Sequence, residues 1–329
     1  MKVRVAILFA LLFLLPQSLW GKDEGTYRIR MLWLPQAEFA GFYRAQADQL
    51  YEKAGVKVVL EHPRPEEELF DTLVQKRCEL IVAWPIPAIK RAVSGDDIVH
   101  VGQMSQDSAL LFIARKRSGI IKPQDISGHR IGFWPAPSLQ APFLAFLDHY
   151  GVSSYQTLPV FVNVDLFLYG GVDVTVGTLY DEFYRLFGHG IDADELVCFD
   201  LNLAFPALVD DGIYCLRSTF EKNPQAIEKI RNATMEGWRR AFADKHGTLQ
   251  LVQDECQKAG LNFNLAHQRW MLNVMEQQIF PKDKVCSEKL TKEAFDEIVQ
   301  ILRKTARTKS APATAITYEK FVPKTEVRP

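Results

Sequence analysis

The chain has 329 residues, of which 39 are Lys or Arg and 40 are Asp or Glu, for a formal net charge of −1. Such a balance offers no basic face for nucleic acid. The five cysteines (Cys78, Cys198, Cys215, Cys256 and Cys286) stand singly, without the Cys-x-x-Cys or Cys/His spacing of a zinc site, and no metal or other cofactor is expected.

At the N-terminus, Lys2 and Arg4 precede an apolar run over residues 5–15, and Pro16, Ser18 and Gly21 come before the first acids, Asp23 and Glu24. A basic start, a short apolar stretch and a small-residue exit are the pattern of a secretory signal peptide. The run falls short of the roughly 20 apolar residues that span a bilayer. We therefore expect residues 1–21 to be removed after Gly21, with Ser18 as the other option. The mature chain is expected in the periplasm, with no membrane insertion, and it is long enough for two ordinary domains.

From Tyr27, strand-like and helix-like segments alternate. Strands are expected at 27–33, 56–61, 79–84 and 98–103, with helices at 42–54, from Pro65 to about Arg77, and at 87–93. Pro65 with Glu66, Glu67 and Glu68 has the composition of a first helical turn, where proline fits and carboxylates meet the positive dipole end. A second block repeats the rhythm: strands at 108–115, 129–134, 158–164, 173–177 and 196–201, helices at 137–150, 165–169 and 180–187, and an extended return at 207–217. Strands alternating with helices imply parallel pairing and helices packed on a sheet. Beyond Ser218 the pattern is helical, at about 223–243, 248–259, 264–279 and 291–306. Pro312, Pro323 and Pro329 give residues 307–329 the character of a loosely held arm. Two α/β blocks followed by helices suggest two crossings between lobes, near 108–115 and 205–213, with the helical tail packed back on the first lobe. Cys198 and Cys215 either pair or remain buried thiols, and the odd count leaves one cysteine unpaired in a monomer.

Several stretches resemble the thiamine-pyrimidine-precursor-binding (thiamine pyrimidine synthase-like) family of type II periplasmic solute-binding proteins. The first is Trp33-Leu34-Pro35-Gln36-Ala37-Glu38-Phe39-Ala40-Gly41-Phe42-Tyr43, followed by Tyr51-Glu52-Lys53-Ala54-Gly55-Val56-Lys57-Val58. Residues 103–115 with 118–120, then 123–132 and 171–182, follow in order, then Asn223-Pro224 and Ala233-Thr234-Met235-Glu236-Gly237-Trp238. The resemblance spans about residues 27–245. Where pyrimidine binders of the family carry Asn-His, this chain has Glu38-Phe39. The resemblance implies a two-lobed α/β fold, each lobe a mostly parallel sheet flanked by helices, with a helical C-terminal tail. Lobe 1 would take residues 22–113 and 207–306, and lobe 2 residues 114–206. It further implies a monomeric solute-binding protein of an ABC importer whose partners are a small ligand and a membrane permease. A sensory binder signalling to a membrane kinase or cyclase is the alternative. A pyrimidine synthase is a third reading, but its cysteine-rich iron-binding run is missing here.

In such folds ligands sit where strands end, beside helix N-termini. Residues just after expected strands are therefore candidate ligand contacts: Trp33, Gln36, Glu38, Phe39 and Tyr43; Trp84; Gln106 and Ser108; Trp134; Tyr180 and Glu182. Glu182 takes the ligand role from the resemblance, since a carboxylate at a helix start also simply favours the dipole. Trp33 and Trp84 also suit a core, and Trp238 and Trp270 sit at packing positions in helices. Rings that stack are worth about 0.5–1.5 kcal/mol per pair, and a few amides and carboxylates then orient a flat solute. The seven histidines show no His-Glu-x-x-His pattern, and neither a nucleophile elbow nor a P-loop is present. A binder is expected, not an enzyme.

Overall fold

The computed structural model describes residues 25–64, 67–161, 163–283, 285–305 and 316–324; the expected signal peptide and the Pro65-Glu66 helix start lie outside the described residues. In chain order the strands are β1 (Thr26–Arg30), β2 (Lys57–Glu61), β3 (Leu80–Ala83), β4 (Ile98–Gln103), β5 (Leu110–Arg115), β6 (Arg130–Phe133), β7 (Gln156–Pro159), β8 (Val174–Thr178), β9 (Leu196–Asp200) and β10 (Gly212–Leu216). They form two five-stranded sheets, ordered β2-β1-β3-β10-β4 and β7-β6-β8-β5-β9. β3, β4 and β8 are buried end to end, as expected of strands covered on both faces. The edge strands β2 and β7 carry exposed Lys57 and exposed Gln156 and Thr157 instead, which discourages further pairing.

Four strands of each sheet share a direction, and one opposes them. β10 runs antiparallel to β3 and β4, and β5 antiparallel to β8 and β9. Both exceptions have one cause. β5 and β10 are the strands by which the chain enters each sheet from the other. They start at the edge where the remaining strands finish, so they must run the opposite way. β5 pairs only within the second sheet. The chain therefore leaves the first sheet after Gln103, earlier than the boundary at 113, and rejoins it at Gly212. Cys198 in β9 and Cys215 in β10 lie in different sheets, and all five cysteines are free. The strand expected over 158–164 ends at Pro159.

On the first lobe, helix Ala40–Ala47 packs closely on helix Pro224–Ala243. Gly41 lies directly under the ring of fully buried Trp238, and Gly237 lies against the Gly41 carbonyl and Ala45, so neither position has room for a Cβ. The tail is not confined to the first lobe, however. Helix Lys292–Thr305 contacts helix Pro85–Val93 of the first lobe and helix Pro137–His149 of the second, burying Ala294, Phe295, Ile298 and Ile301. Among the described residues no helix is long and apolar enough to cross a membrane.

Residues 316–324 also depart from the expected loose arm. Phe321 is fully buried, with its ring 6.0 Å from Tyr214, 5.7 Å from Phe295 and 6.4 Å from His100. Tyr318 Oη donates to Leu290 O at 2.8 Å, and Lys289 Nζ donates to Pro323 O at 3.1 Å. One aromatic anchor outweighs the local preference of proline for irregular chain. Phe321→Ala should therefore destabilise the protein by about 3–5 kcal/mol, the usual cost of emptying a buried phenylalanine site. Denaturant unfolding would measure this, and a loss below about 1 kcal/mol would contradict the docking.

Candidate functional site: an aromatic and acidic interlobe cleft

The co-directional strands of each sheet finish toward the other lobe, and the segments following β1, β3, β6 and β8 meet around a cavity of about 310 Å³. Leu32, Trp33, Gln36, Glu38 and Trp84 line it from the first lobe. Trp134, Pro135, Ala136, Leu139, Thr178, Tyr180, Asp181 and Glu182 line it from the second, with Phe161 from the loop after β7. Trp84 and Trp134 come from opposite lobes and touch, with ring centroids 5.8 Å apart and planes tilted by 50°. The two indoles thus pack on each other across the cleft. Trp33 is 39% exposed, at the rim.

Seven of the eleven expected positions thus converge: Trp33, Gln36, Glu38, Trp84, Trp134, Tyr180 and Glu182. Phe39 and Tyr43 do not. They are four residues apart on one face of the turn-and-helix segment, and both meet His62, at 5.6 and 5.9 Å between ring centroids. That face points into the core, and the Tyr43 hydroxyl pairs with His62 Nε2 at 3.0 Å. Gln106 and Ser108 belong to the first crossing between lobes. Gln106 accepts from Ser287 N at 2.7 Å and donates to Ser287 O at 3.0 Å, while Ser108 Oγ donates to Asp210 Oδ1 at 2.8 Å. Both fasten the crossing segment and do not line the cavity.

The carboxyl groups around the cavity sit in unequal environments. Glu38 is buried and accepts hydrogen bonds from Gln36 Nε2 and, across the lobes, from Tyr180 Oη at 3.2 Å. Burial outweighs these two donors and pushes its pKa up to about 8. Glu182 accepts from Thr178 N at 2.9 Å and Thr178 Oγ1 at 3.1 Å. Burial and the neighbouring Asp181 charge raise it to about 7. Its side chain folds back over β8 into space that a Cβ at Gly177 would fill. Asp181 behaves oppositely. Burial pushes it up, but His267 at 3.1 Å and Arg185 at 2.7 Å outweigh burial and hold it below the ordinary carboxylate range.

Behind the cavity, Asp210 accepts from Ala109 N at 2.7 Å as well as from Ser108, yet burial lifts it to about 7. Asp211 is raised well above its usual value by burial and then by the Glu38 and Asp210 charges; the Trp84 indole N–H beside it acts the other way. Neither Trp84 Nε1 nor Asp211 Oδ1 closes a hydrogen bond of ordinary geometry.

A clasp from the helical tail holds the turn that carries Tyr180 and Glu182. In helix Leu265–Ile279, Trp270 Nε1 donates to Leu179 O at 2.9 Å, and His267 Nε2 lies 3.2 Å from Tyr180 O. The His267 ring stacks on Tyr184 at 5.0 Å. Sequence reading missed His267, Trp270 and the Asp210-Asp211 pair. The first two stand in a stretch that reads only as packing helix, and two adjacent acids before a strand are a faint signal.

The model of the family described as NMT1/THI5 like matches residues 36–246. The chain belongs to the NMT1/THI5-like family. The matched span runs from Gln36, just past Leu32 and Trp33, through both crossings and the whole of helix Pro224–Ala243, so it contains most of the cavity but not His267 and Trp270 of the clasp. A comparison with curated proteins finds no match.

Among solved structures, this member of the NMT1/THI5-like family is similar to the periplasmic aliphatic sulphonate binding protein SsuA from Escherichia coli. The TM-score is 0.63 at 18% identity, over 78% of this chain and 84% of that one. The ligand-binding component of an ABC-type import system from Staphylococcus aureus gives a TM-score of 0.63 at 10% identity, over 90% and 96% of the two chains. The Candida albicans CA3427 gene product, described as having the generic periplasmic binding protein fold, gives 0.59 at 12% identity, over 85% and 90%. The fold is that of the periplasmic binding proteins.

The buried acids give stability a definite pH dependence. Glu38, Glu182 and Asp210 keep protons in the folded protein at pH values where the unfolded chain, with ordinary carboxylates near pH 4, has lost them. The folded state then binds more protons, and stability falls as pH rises toward about 8. Buried His100, held down at about 3, works the other way, but only below pH 6.5. The thermal midpoint without ligand should therefore drop between pH 6.5 and 8, and Glu38→Gln should flatten the drop. A midpoint that rises across this window would contradict the assignment.

Proposed function

We propose that the chain is an extracytoplasmic solute-binding protein of an ABC importer. It captures a small planar nitrogenous solute, such as a thiamine pyrimidine precursor, and releases it unchanged to a membrane permease. The observation that carries this reading is the convergence in one cavity of indole and phenol rings from both lobes with the carboxyl groups of Glu38 and Glu182. Rings give a flat solute its contact area, and carboxyl groups accept hydrogen bonds from ring and exocyclic N–H groups. Two stacking contacts and several hydrogen bonds in a closed cleft suffice for micromolar capture, about −8 kcal/mol. Closure brings the two sets of strand ends together, with the segments between β4 and β5 and between β9 and β10 flexing as hinges.

A sulfonate is disfavoured as the solute. Among the described residues the cavity lining includes no Lys, Arg or His, while it includes three carboxyl groups, Glu38, Asp181 and Glu182. An anion there would meet carboxyl groups and no basic side chain of the lining, so the ligand of the structurally similar sulphonate binder does not transfer with the fold.

A thermal-shift screen against thiamine, its pyrimidine precursors, riboflavin-like rings, amino acids and sulfonates tests the proposal. A ligand at 100 times its dissociation constant stabilises by about 2.7 kcal/mol. Trp134→Ala and Glu182→Ala should each abolish that shift while circular dichroism stays native. Shifts from sulfonates alone, or normal binding by both variants, would overturn it.

A further inference from the structure

We infer that the solute held in this cleft is a cation, carrying its positive charge on or beside the ring and placing it against Glu38. The inference rests on the cleft being the ligand site, and it narrows the class of solute.

Charges and counter-charges around the cavity do not balance. Among the described residues, three carboxyl groups line the cavity and no basic side chain does. Asp181 is already matched by Arg185, at 2.7 and 3.2 Å, and by His267. Arg185 also acts on Glu182, but its guanidinium is held on Asp181. Glu38 is different. Its hydrogen-bond donors, Gln36 and Tyr180, are both neutral. The titratable groups facing it from the neighbouring elements are Asp181, Asp210 and Asp211, with the phenols of Tyr43 and Tyr180. Every charge among them is negative.

The protein has thus built a buried acid, open to the cavity, with neutral donors and no counter-charge beside it. A carboxylate removed from water without a counter-charge is costly, and such a group stays protonated instead. A cationic solute removes that cost. The carboxyl O–H bond of Glu38 breaks, its proton leaves to solvent, and the carboxylate pairs with the ligand charge. The surrounding rings act in the same sense, since the faces of Trp33, Trp84, Trp134 and Tyr180 present negative π density to a cation. A neutral solute draws on neither effect, and an anion opposes both.

Isothermal titration calorimetry on the purified protein at pH 7 separates these cases. It would use three probes with one ring: a 4-aminopyrimidine carrying a 5-aminomethyl, 5-hydroxymethyl or 5-phosphonooxymethyl group. The aminomethyl probe should bind at least tenfold tighter than the hydroxymethyl probe, and the phosphonooxymethyl probe weakest. Paired runs in phosphate and Tris should show close to one proton released with the aminomethyl probe. Glu38→Gln should erase most of the tenfold preference for the aminomethyl over the hydroxymethyl probe, read as the ratio of the two affinities in the same variant. Equal or tighter binding of the neutral or anionic probe, proton uptake in the wild-type protein, or a preference that survives Glu38→Gln would each overturn the inference. The wild-type proton count holds even if the variant fails to fold. Should the tight ligand come from the wider thermal-shift panel, a cation supports the inference and a neutral or anionic solute sinks it. Failure of every compound in both sets would instead remove the solute-binding reading beneath it.

Discussion

The two lengths of chain that pass between the sheets are fastened to each other by Asp210. Its carboxyl oxygens accept from Ser108 Oγ and Ala109 N on the outgoing crossing, while Asn202 Nδ2 on the return crossing donates to Ser108 O at 2.7 Å. Gln103 adds bonds from its amide to Ser105 O and Asp211 O, at 2.9 and 3.0 Å. Because the crossings leave and enter at the same edge of each sheet, β5 and β10 must oppose their neighbours. The remaining strands then finish face to face. The cavity and its aromatic wall follow from that geometry.

Electrostatics in the cleft follow from the same closeness. Bringing strand ends together buries Glu38, Asp181, Glu182, Asp210 and Asp211 in one neighbourhood. Only Asp181 receives a full complement of positive partners, and its pKa falls while those of the others rise. In a medium of low dielectric a group's ionisation depends on its nearest partner, so identical side chains a few ångströms apart divide into charged and neutral forms. The cleft is shaped by rings and tuned by which acids are left unmatched.

The tail helices contribute more than bulk. Helix Leu265–Ile279 grips the 179–184 turn through Trp270, His267 and the Tyr184 stack, and helix Lys292–Thr305 packs on helices of both lobes. Motion of one lobe against the other must carry or release these contacts. The segment that presents Tyr180 and Glu182 to the cavity is thereby coupled to the part of the chain most distant from it in sequence.

The order of strands and helices, the two α/β blocks and seven of the cavity positions were legible in the sequence alone. Apolar periodicity, glycine and proline punctuation and the ends of strands are local signals, and Trp33, Gln36, Glu38, Trp84, Trp134, Tyr180 and Glu182 all lie in the segments that follow strands. What the sequence could not decide was direction and facing. Phe39 and Tyr43 also follow β1, but one helical face turns them into the core toward His62. Gln106 and Ser108 follow β4, but the crossing spends their polar groups on Ser287 and Asp210. The antiparallel entry strands, the docking of Phe321, the separation of Cys198 from Cys215 and the clasp by His267 and Trp270 depend on residues far apart in the chain. Only the closed three-dimensional packing brings such partners within contact distance, because no local property of either partner encodes the meeting.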